Sequence, residues 1–98
     1  MYSVQTTKNY ERAFKKCVRR GLPMDKLDKV VKILEATGSL PQQYRPHKLS
    51  GFAGNNVWEC HIQPDWLLIW KQIGNELELL MLNTGTHSDL FSKKYKKK

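Results

Sequence analysis

Val57-Trp58-Glu59-Cys60-His61-Ile62-Gln63-Pro64-Asp65-Trp66-Leu67-Leu68-Ile69-Trp70, residues 57–70, decides the fold. In its first half Val57, Glu59 and His61 alternate with Trp58, Cys60 and Ile62, the period of a strand with two unlike faces. Pro64-Asp65 interrupts the run with turn chemistry. From Trp66 to Ile73 the chain is almost continuously apolar, which predicts a central strand buried on both faces.

Outward from this stretch the elements fall into place. Toward the C-terminus, Gly74-Asn75 reads as a tight hairpin turn, Glu76 to Thr84 as the next strand and Gly85 as its end, with His87 and Phe91 on a short final turn. Toward the N-terminus, residues 51–55 read as a loop, His47 to Leu49 as a short strand, and Ser39 to Pro46, with its two prolines, as a connection. Pro23 and Gly38 bracket a helix whose Leu27, Val30, Val31 and Leu34 form one apolar stripe. An earlier helix runs from Lys8 to Arg20, capped by Thr6 or Thr7 and stopped by Gly21, with Tyr10, Phe14, Cys17 and Val18 on one side. Residues 1–6 alternate and predict a first strand.

The order β-α-α followed by antiparallel strands predicts an α+β fold. An N-terminal strand and a helical hairpin pack on one face of a small, mainly antiparallel sheet. The other face is left as a concave, partly polar surface. Ninety-eight residues make one domain with one modest core. We place that domain at residues 1–91 and a Lys-rich tail at 92–98.

The charge is uneven. Of a formal +8, five charges come from Lys93, Lys94, Lys96, Lys97 and Lys98, so the body itself is only mildly basic. Such a tail is either a solvated end or a contact to a phosphate backbone. Cys17 and Cys60 form no CxxC pair. The N-terminus has no long apolar run and no stretch reaches the length of a membrane span. These features predict a cytoplasmic protein with reduced thiols and no membrane partner. Cys60 precedes His61, but neighbours on a strand point to opposite faces, so a packed core thiol is expected rather than a nucleophilic pair.

Three histidines occupy the segments with the most chemical character: His47, His61 and His87. Imidazole exchanges protons near neutrality. Glu59 lies two residues before His61 on the same predicted sheet face, where a carboxylate can fix an imidazole tautomer. Asp65 follows at the end of that strand. No two histidines have metal-ligand spacing on a helix, and no nucleotide-binding loop or serine-nucleophile elbow is present. Cleavage of RNA by its own 2′-hydroxyl needs none of these. It needs a base, an acid and a cation for the developing charge, and an aromatic side chain can stack on a splayed base.

The segments Tyr44-Arg45-Pro46-His47-Lys48-Leu49-Ser50-Gly51, Glu59 to Trp70 and Thr84-Gly85-Thr86-His87-Ser88-Asp89-Leu90-Phe91 stand in the order and spacing of a known family. The chain resembles the RelE/YafQ type of bacterial toxin, closest to the histidine-rich YafQ branch, over residues 1–91. The resemblance implies a microbial RNase-type fold and a ribosome-dependent endoribonuclease. Such an enzyme cleaves mRNA in the ribosomal A site, leaving a 2′,3′-cyclic phosphate and a 5′-hydroxyl, with no metal and no other cofactor. It implies an acidic, DinJ/RelB-like antitoxin as partner, with DNA contacted only through that antitoxin. Carried onto this sequence, it implies His47, His61, Asp65 and His87 as the acid–base set, and Trp66 and Phe91 as residues that shape the pocket or stack on substrate. Many relatives carry Arg where this chain has Asn83. Lys48, Arg45 or a tail lysine are the candidates to replace its charge. Two other readings stay open at this stage: a ParE-like toxin that is no nuclease, for which no acid–base cluster is expected, and a basic RNA-binding module.

Overall fold

The computed structural model describes residues 1–49, 56–73 and 77–91. The expected 51–55 loop, the Gly74-Asn75 turn and the Lys-rich tail lie outside the described residues. Five strands and three helices follow in the order β1 (Ser3–Thr6), α1 (Lys8–Arg19), α2 (Met24–Thr37), a 3-10 turn (Gln42–Tyr44), β2 (His47–Lys48), β3 (Val57–Gln63), β4 (Trp66–Gln72), β5 (Glu78–Gly85) and α3 (His87–Phe91). The strand order is β1-β5-β4-β3-β2, so β4 is central, as its unbroken apolar run predicts. β1 runs parallel to β5, and the remaining pairs are antiparallel.

Both long helices pack on one face of this α+β sheet. Tyr10 and Cys17 of α1 and Leu27, Val30 and Leu34 of α2 join Cys60, Ile62, Trp66, Leu68, Trp70, Leu79 and Met81 in the main core. The Thr7 side chain starts α1 by accepting the Tyr10 N–H at 3.0 Å, and its hydroxyl also donates to the Met81 carbonyl at 3.1 Å, which fastens the helix start to β5. Pro23 stands just outside α2 as its cap, one residue earlier than its sequence position suggests, because its ψ of 86° is not helical. Gly38 closes α2 with φ 79°, and the Tyr2 ring lies where a Cβ would stand.

The opposite face is less open than the sequence suggests. Leu67 and Ile69 of β4 and Val57 of β3 gather under Leu90 of α3, with Leu49, Leu82 and Phe91 packed around them. The reason lies in β4 itself, since a strand apolar on both sides needs cover on both sides. The single turn of α3 supplies that cover and leaves the β3–β4 end of the face to polar residues.

Candidate active site

The site grows from the turn between β3 and β4. His61 stands on β3 with Val57 and Glu59, on the face away from the long helices. A register shift between His61 and Gln63 bends the strand there. The Nδ1 of His61 lies 3.3 Å from the Pro64 carbonyl oxygen. In the turn, Asp65 Oδ1 accepts two bonds from one residue of α3: the His87 backbone N–H at 3.0 Å and the His87 Nδ1–H at 2.7 Å. The carboxylate thus satisfies an otherwise orphan N–H at the start of α3 and orients the ring in the same contact. The side-chain bond from His87, followed by its backbone N–H, holds the Asp65 carboxyl below the usual carboxylate range.

The His61 and His87 rings are 6.0 Å apart, centre to centre, at 48°. Phe91, one turn further along α3, lies 6.5 Å from His87 and closes that side of the cluster. β5 does not adjoin β3, so the two histidines meet at the strand ends, bridged by the Asp65 turn. Pro64 and Asp65 offer only acceptors to the two Nδ1 atoms, so each Nδ1 is a donor, and among the described residues neither Nε2 has a hydrogen-bond partner.

His47 is arranged differently. It lies directly opposite Glu59 across the β2–β3 ladder. Its Nε2 is 3.1 Å from Glu59 Oε1, and its Nδ1 is 3.2 Å from the Arg45 carbonyl oxygen. Both nitrogens face acceptors. The expectation that Glu59 serves His61 is therefore corrected. Side chains directly opposite in an antiparallel pair are closer than those two apart along one strand, so Glu59 belongs to His47.

Two other expected site residues, Trp66 and Lys48, are placed elsewhere, and Arg45 reaches the site by its backbone. Trp66 is 1% exposed, lies in the main core, and donates its indole N–H to Thr84 Oγ1 at 3.0 Å, so it is not placed to stack on a substrate. Lys48 is opposite Trp58 in the ladder and therefore on the other sheet face from His47, where its Nζ sits 5.9 Å from the Trp58 ring centre. Arg45 has an exposed side chain and a left-handed backbone (φ 48°), and its carbonyl rather than its guanidinium reaches His47. Asn83 stands on β5 beyond the end of β1, with its Oδ1 accepting the Thr84 N–H at 2.9 Å. It lines a cleft with Asn9, Arg12 and Lys16 of α1. Cys60 is fully buried on the helix face, and burial, with Glu59 adding to it, pushes its thiol up to about 12; it is a core residue and no nucleophile.

Sequence reasoning missed Asp89. It accepts from Arg20, the C-cap of α1, and from Lys16 of α1, at 2.7 and 3.3 Å, and from the Thr86 N–H at 2.9 Å. The signal was present: Thr86-His87-Ser88-Asp89 has the spacing of a capping box at a helix start.

Among the described residues, no three His, Cys, Asp or Glu side chains converge as the ligands of one ion would. The arrangement offers two imidazoles held at Nδ1, one of them by a carboxylate, on an α+β sheet. The class of protein is a toxin: residues 2–92 match the model of the YafQ bacterial toxins of type II toxin–antitoxin systems. The chain belongs to the YafQ family. It is 32% identical over 89 residues to the mRNA interferase toxin YafQ of Escherichia coli K12, covering 90% of this chain and 94% of that protein. The YafQ of an E. coli DinJ–YafQ toxin–antitoxin complex superposes with a TM-score of 0.83 at 30% identity, covering 92% of this chain and 97% of that one. A metal-bound toxin from Helicobacter pylori superposes equally well, at 0.83 and 33% identity, over 93% of this chain and all of that one.

Proposed function

We propose that this chain is an mRNA interferase that cleaves mRNA in the ribosomal A site by metal-independent acid–base catalysis. The carrying observation is the His61–His87 pair, 6.0 Å apart, each with Nδ1 tied to an acceptor and Nε2 free. Attack of a 2′-hydroxyl on the adjacent phosphorus needs a base on one side and an acid at the leaving 5′-oxygen on the other. At this spacing one imidazole, neutral, can take the 2′-hydroxyl proton at Nε2 while the other, entering the reaction protonated at Nε2, gives its proton to the leaving 5′-oxygen. Asp65 steadies His87 in the tautomer that keeps Nε2 outward, the role a carboxylate plays toward a catalytic imidazole. The products are a 2′,3′-cyclic phosphate and a 5′-hydroxyl.

His47, with both nitrogens engaged, is assigned to the border of the site, where it can present positive charge to phosphate. Arg45 stands beside it with an exposed guanidinium. Phe91, beside His87, is the surface on which a base can stack. The ribosome supplies the rest of the substrate-binding surface, which suits a small, basic chain with a shallow site. The working compartment is then the cytoplasm. The partner that silences it is an acidic antitoxin of the DinJ/RelB kind, and contact with operator DNA runs through that antitoxin. A ParE-like reading has no use for the Asp65-backed imidazole pair.

The test is mRNA cleavage on programmed ribosomes by the His61→Ala and His87→Ala proteins. Acid–base catalysis contributes about 10²–10⁴-fold, and each variant is expected to lose a factor in that range. Wild-type rates in both, with folding intact, overturn the assignment.

A further inference from the structure

Asp89 lies two residues after His87, yet its carboxylate is spent on α1 and on the start of its own helix. Arg20 grips it with both guanidinium nitrogens, Nη1 to Oδ2 at 2.7 Å and Nη2 to Oδ1 at 3.2 Å. Lys16 Nζ donates to Oδ1 at 3.3 Å. The Thr86 N–H donates to Oδ2 at 2.9 Å, and the Asp89 N–H returns a bond to Thr86 Oγ1 at 3.2 Å. An ionised carboxylate has about four lone-pair sites. Here four donors occupy them. The fork geometry of the Arg20 contact also fixes orientation as well as distance.

Two further observations show that the chain is shaped around this contact. Gly85 has φ 152°, and a Cβ there would stand 2.8 Å from Asp89 Oδ2 and 3.0 Å from Asp89 Cβ, so the absent side chain makes room for the carboxylate. The Asp89 side chain is only 16% exposed, beside an α3 whose His87 is 55% exposed. α3 has five residues, a length at which a helix does not hold itself together in water. Its position must come from outside. Leu90 anchors one side in the smaller core. The first turn, which carries His87, is held by Asp65 at the His87 N–H and by the Thr86–Asp89 box at the Thr86 and Asp89 N–H groups.

We propose that Asp89 is a positioning residue for His87: the Arg20–Asp89–Lys16 lock fixes the first turn of α3 against α1, so that the His87 imidazole meets Asp65. The consequence is that α1, on the far side of the sheet from the histidines, contributes to the geometry of the site through Lys16 and its C-cap residue Arg20. The role in cleavage rests on the acid–base reading of His87 given above. The lock itself does not.

The experiment uses the full chain and two variants, Asp89→Asn and Arg20→Gln, with two readouts. The first is single-turnover mRNA cleavage at saturating ribosomes, with ribosome affinity measured separately. The second is hydrogen exchange of the His87 backbone amide in the free, folded protein, which reports the Asp65 contact without any reference to activity. A misplacement of about 1 Å costs up to about 10²-fold in rate. Asp89→Asn is expected to lower the saturated rate within that range, leave ribosome affinity unchanged and speed His87 exchange. Arg20→Gln, which keeps the capping box, should do the same to a smaller degree. The double variant should be no slower than Asp89→Asn alone, because both remove one lock. Unchanged His87 exchange in both variants overturns the proposal, whatever happens to the rate. Faster exchange with a wild-type cleavage rate, when His87→Ala is inactive, overturns it as well. If His87→Ala cleaves normally while Asp89→Asn speeds exchange, the lock stands and the acid–base reading of His87 falls.

Discussion

The two imidazole–carboxylate pairs of this site use the same chemistry to opposite effect. At one end, His87 meets Asp65 at 2.7 Å, with both side chains more than half exposed. At the other, His47 meets Glu59 at 3.1 Å, with the glutamate only 8% exposed. The difference is which ring nitrogen the acid takes and what the other nitrogen finds. Asp65 binds Nδ1 and leaves Nε2 to the solvent side, where a substrate proton can be exchanged. Glu59 binds Nε2, while the Arg45 carbonyl takes Nδ1. A histidine beside a carboxylate is thus a proton shuttle only when one nitrogen is left over.

The largest effect that can break this comparison is kinetic. His87→Ala and His61→Ala should each cost about 10²–10⁴-fold in single-turnover cleavage. His47→Ala should cost far less in the saturated rate, and show itself mainly in substrate affinity. Equal losses in the rate for His47 and His87 would erase the distinction drawn between the two ends.

Asp65→Asn sharpens the same point. The variant keeps an oxygen for the Nδ1–H but loses the charge. A loss of up to about 10²-fold is expected from poorer placement of the ring. The pH dependence carries the sign. Because the folded carboxyl titrates below its ordinary value of about 3.9, the pair it makes is fully present above that value and is lost only as pH falls through the lowered one. Asp65 therefore stays ionised throughout the range in which cleavage is measured, and its own titration is not part of the wild-type acid limb. A carboxyl inflection in the wild-type profile at or above about 3.9 that is missing from Asp65→Asn would contradict this.

Glu59→Ala probes the other end, where stability rather than rate should respond. Truncating the buried Glu59 side chain should destabilise the fold by about 1 kcal/mol, read from denaturant midpoints with an unchanged slope. Asp65→Ala, at a solvent-exposed turn, should move the midpoint less. The reverse order would mean that the burial of Glu59 has been misjudged as the source of its role.

Most of the fold was legible because its signals are local. The continuous run from Trp66 onward gave a central strand, the two apolar stripes gave the helices, and Thr7, Gly21 and Gly38 marked their ends as read. What was not legible depended on register and on sheet face. Glu59 and His61 share a face, which alternation reveals. That Glu59 turns to His47 follows only from the pairing His47↔Glu59, and no local pattern sets the register of a two-residue strand. Lys48 was misplaced for the same reason, since one step along β2 moves it to the helix face. Trp66 reads equally well as a stacking surface or as core until the Thr84 hydroxyl, 18 residues away in sequence, is seen to hold its indole. Asp89 escaped notice because its partners lie about 70 residues away on α1.

The smallest expected effect is a null one, and it bears on the same contrast. At the His61–His87 end neither Nε2 has a partner among the described residues, which leaves two nitrogens of the kind a metal takes. The nearby carboxylate, however, is turned to the His87 ring and amide, and no third ligand among the described residues converges on the pair. Proton transfer by imidazole needs no ion. Treating the protein with EDTA, then restoring the magnesium that keeps ribosomes assembled, should leave the cleavage rate unchanged. The H. pylori relative with bound metal makes the control worth running with zinc and copper added back. A rate that falls on chelation and returns with either ion would mean that the free nitrogens serve as ligands, and the contrast between the two ends would become one of metal binding rather than of proton exchange.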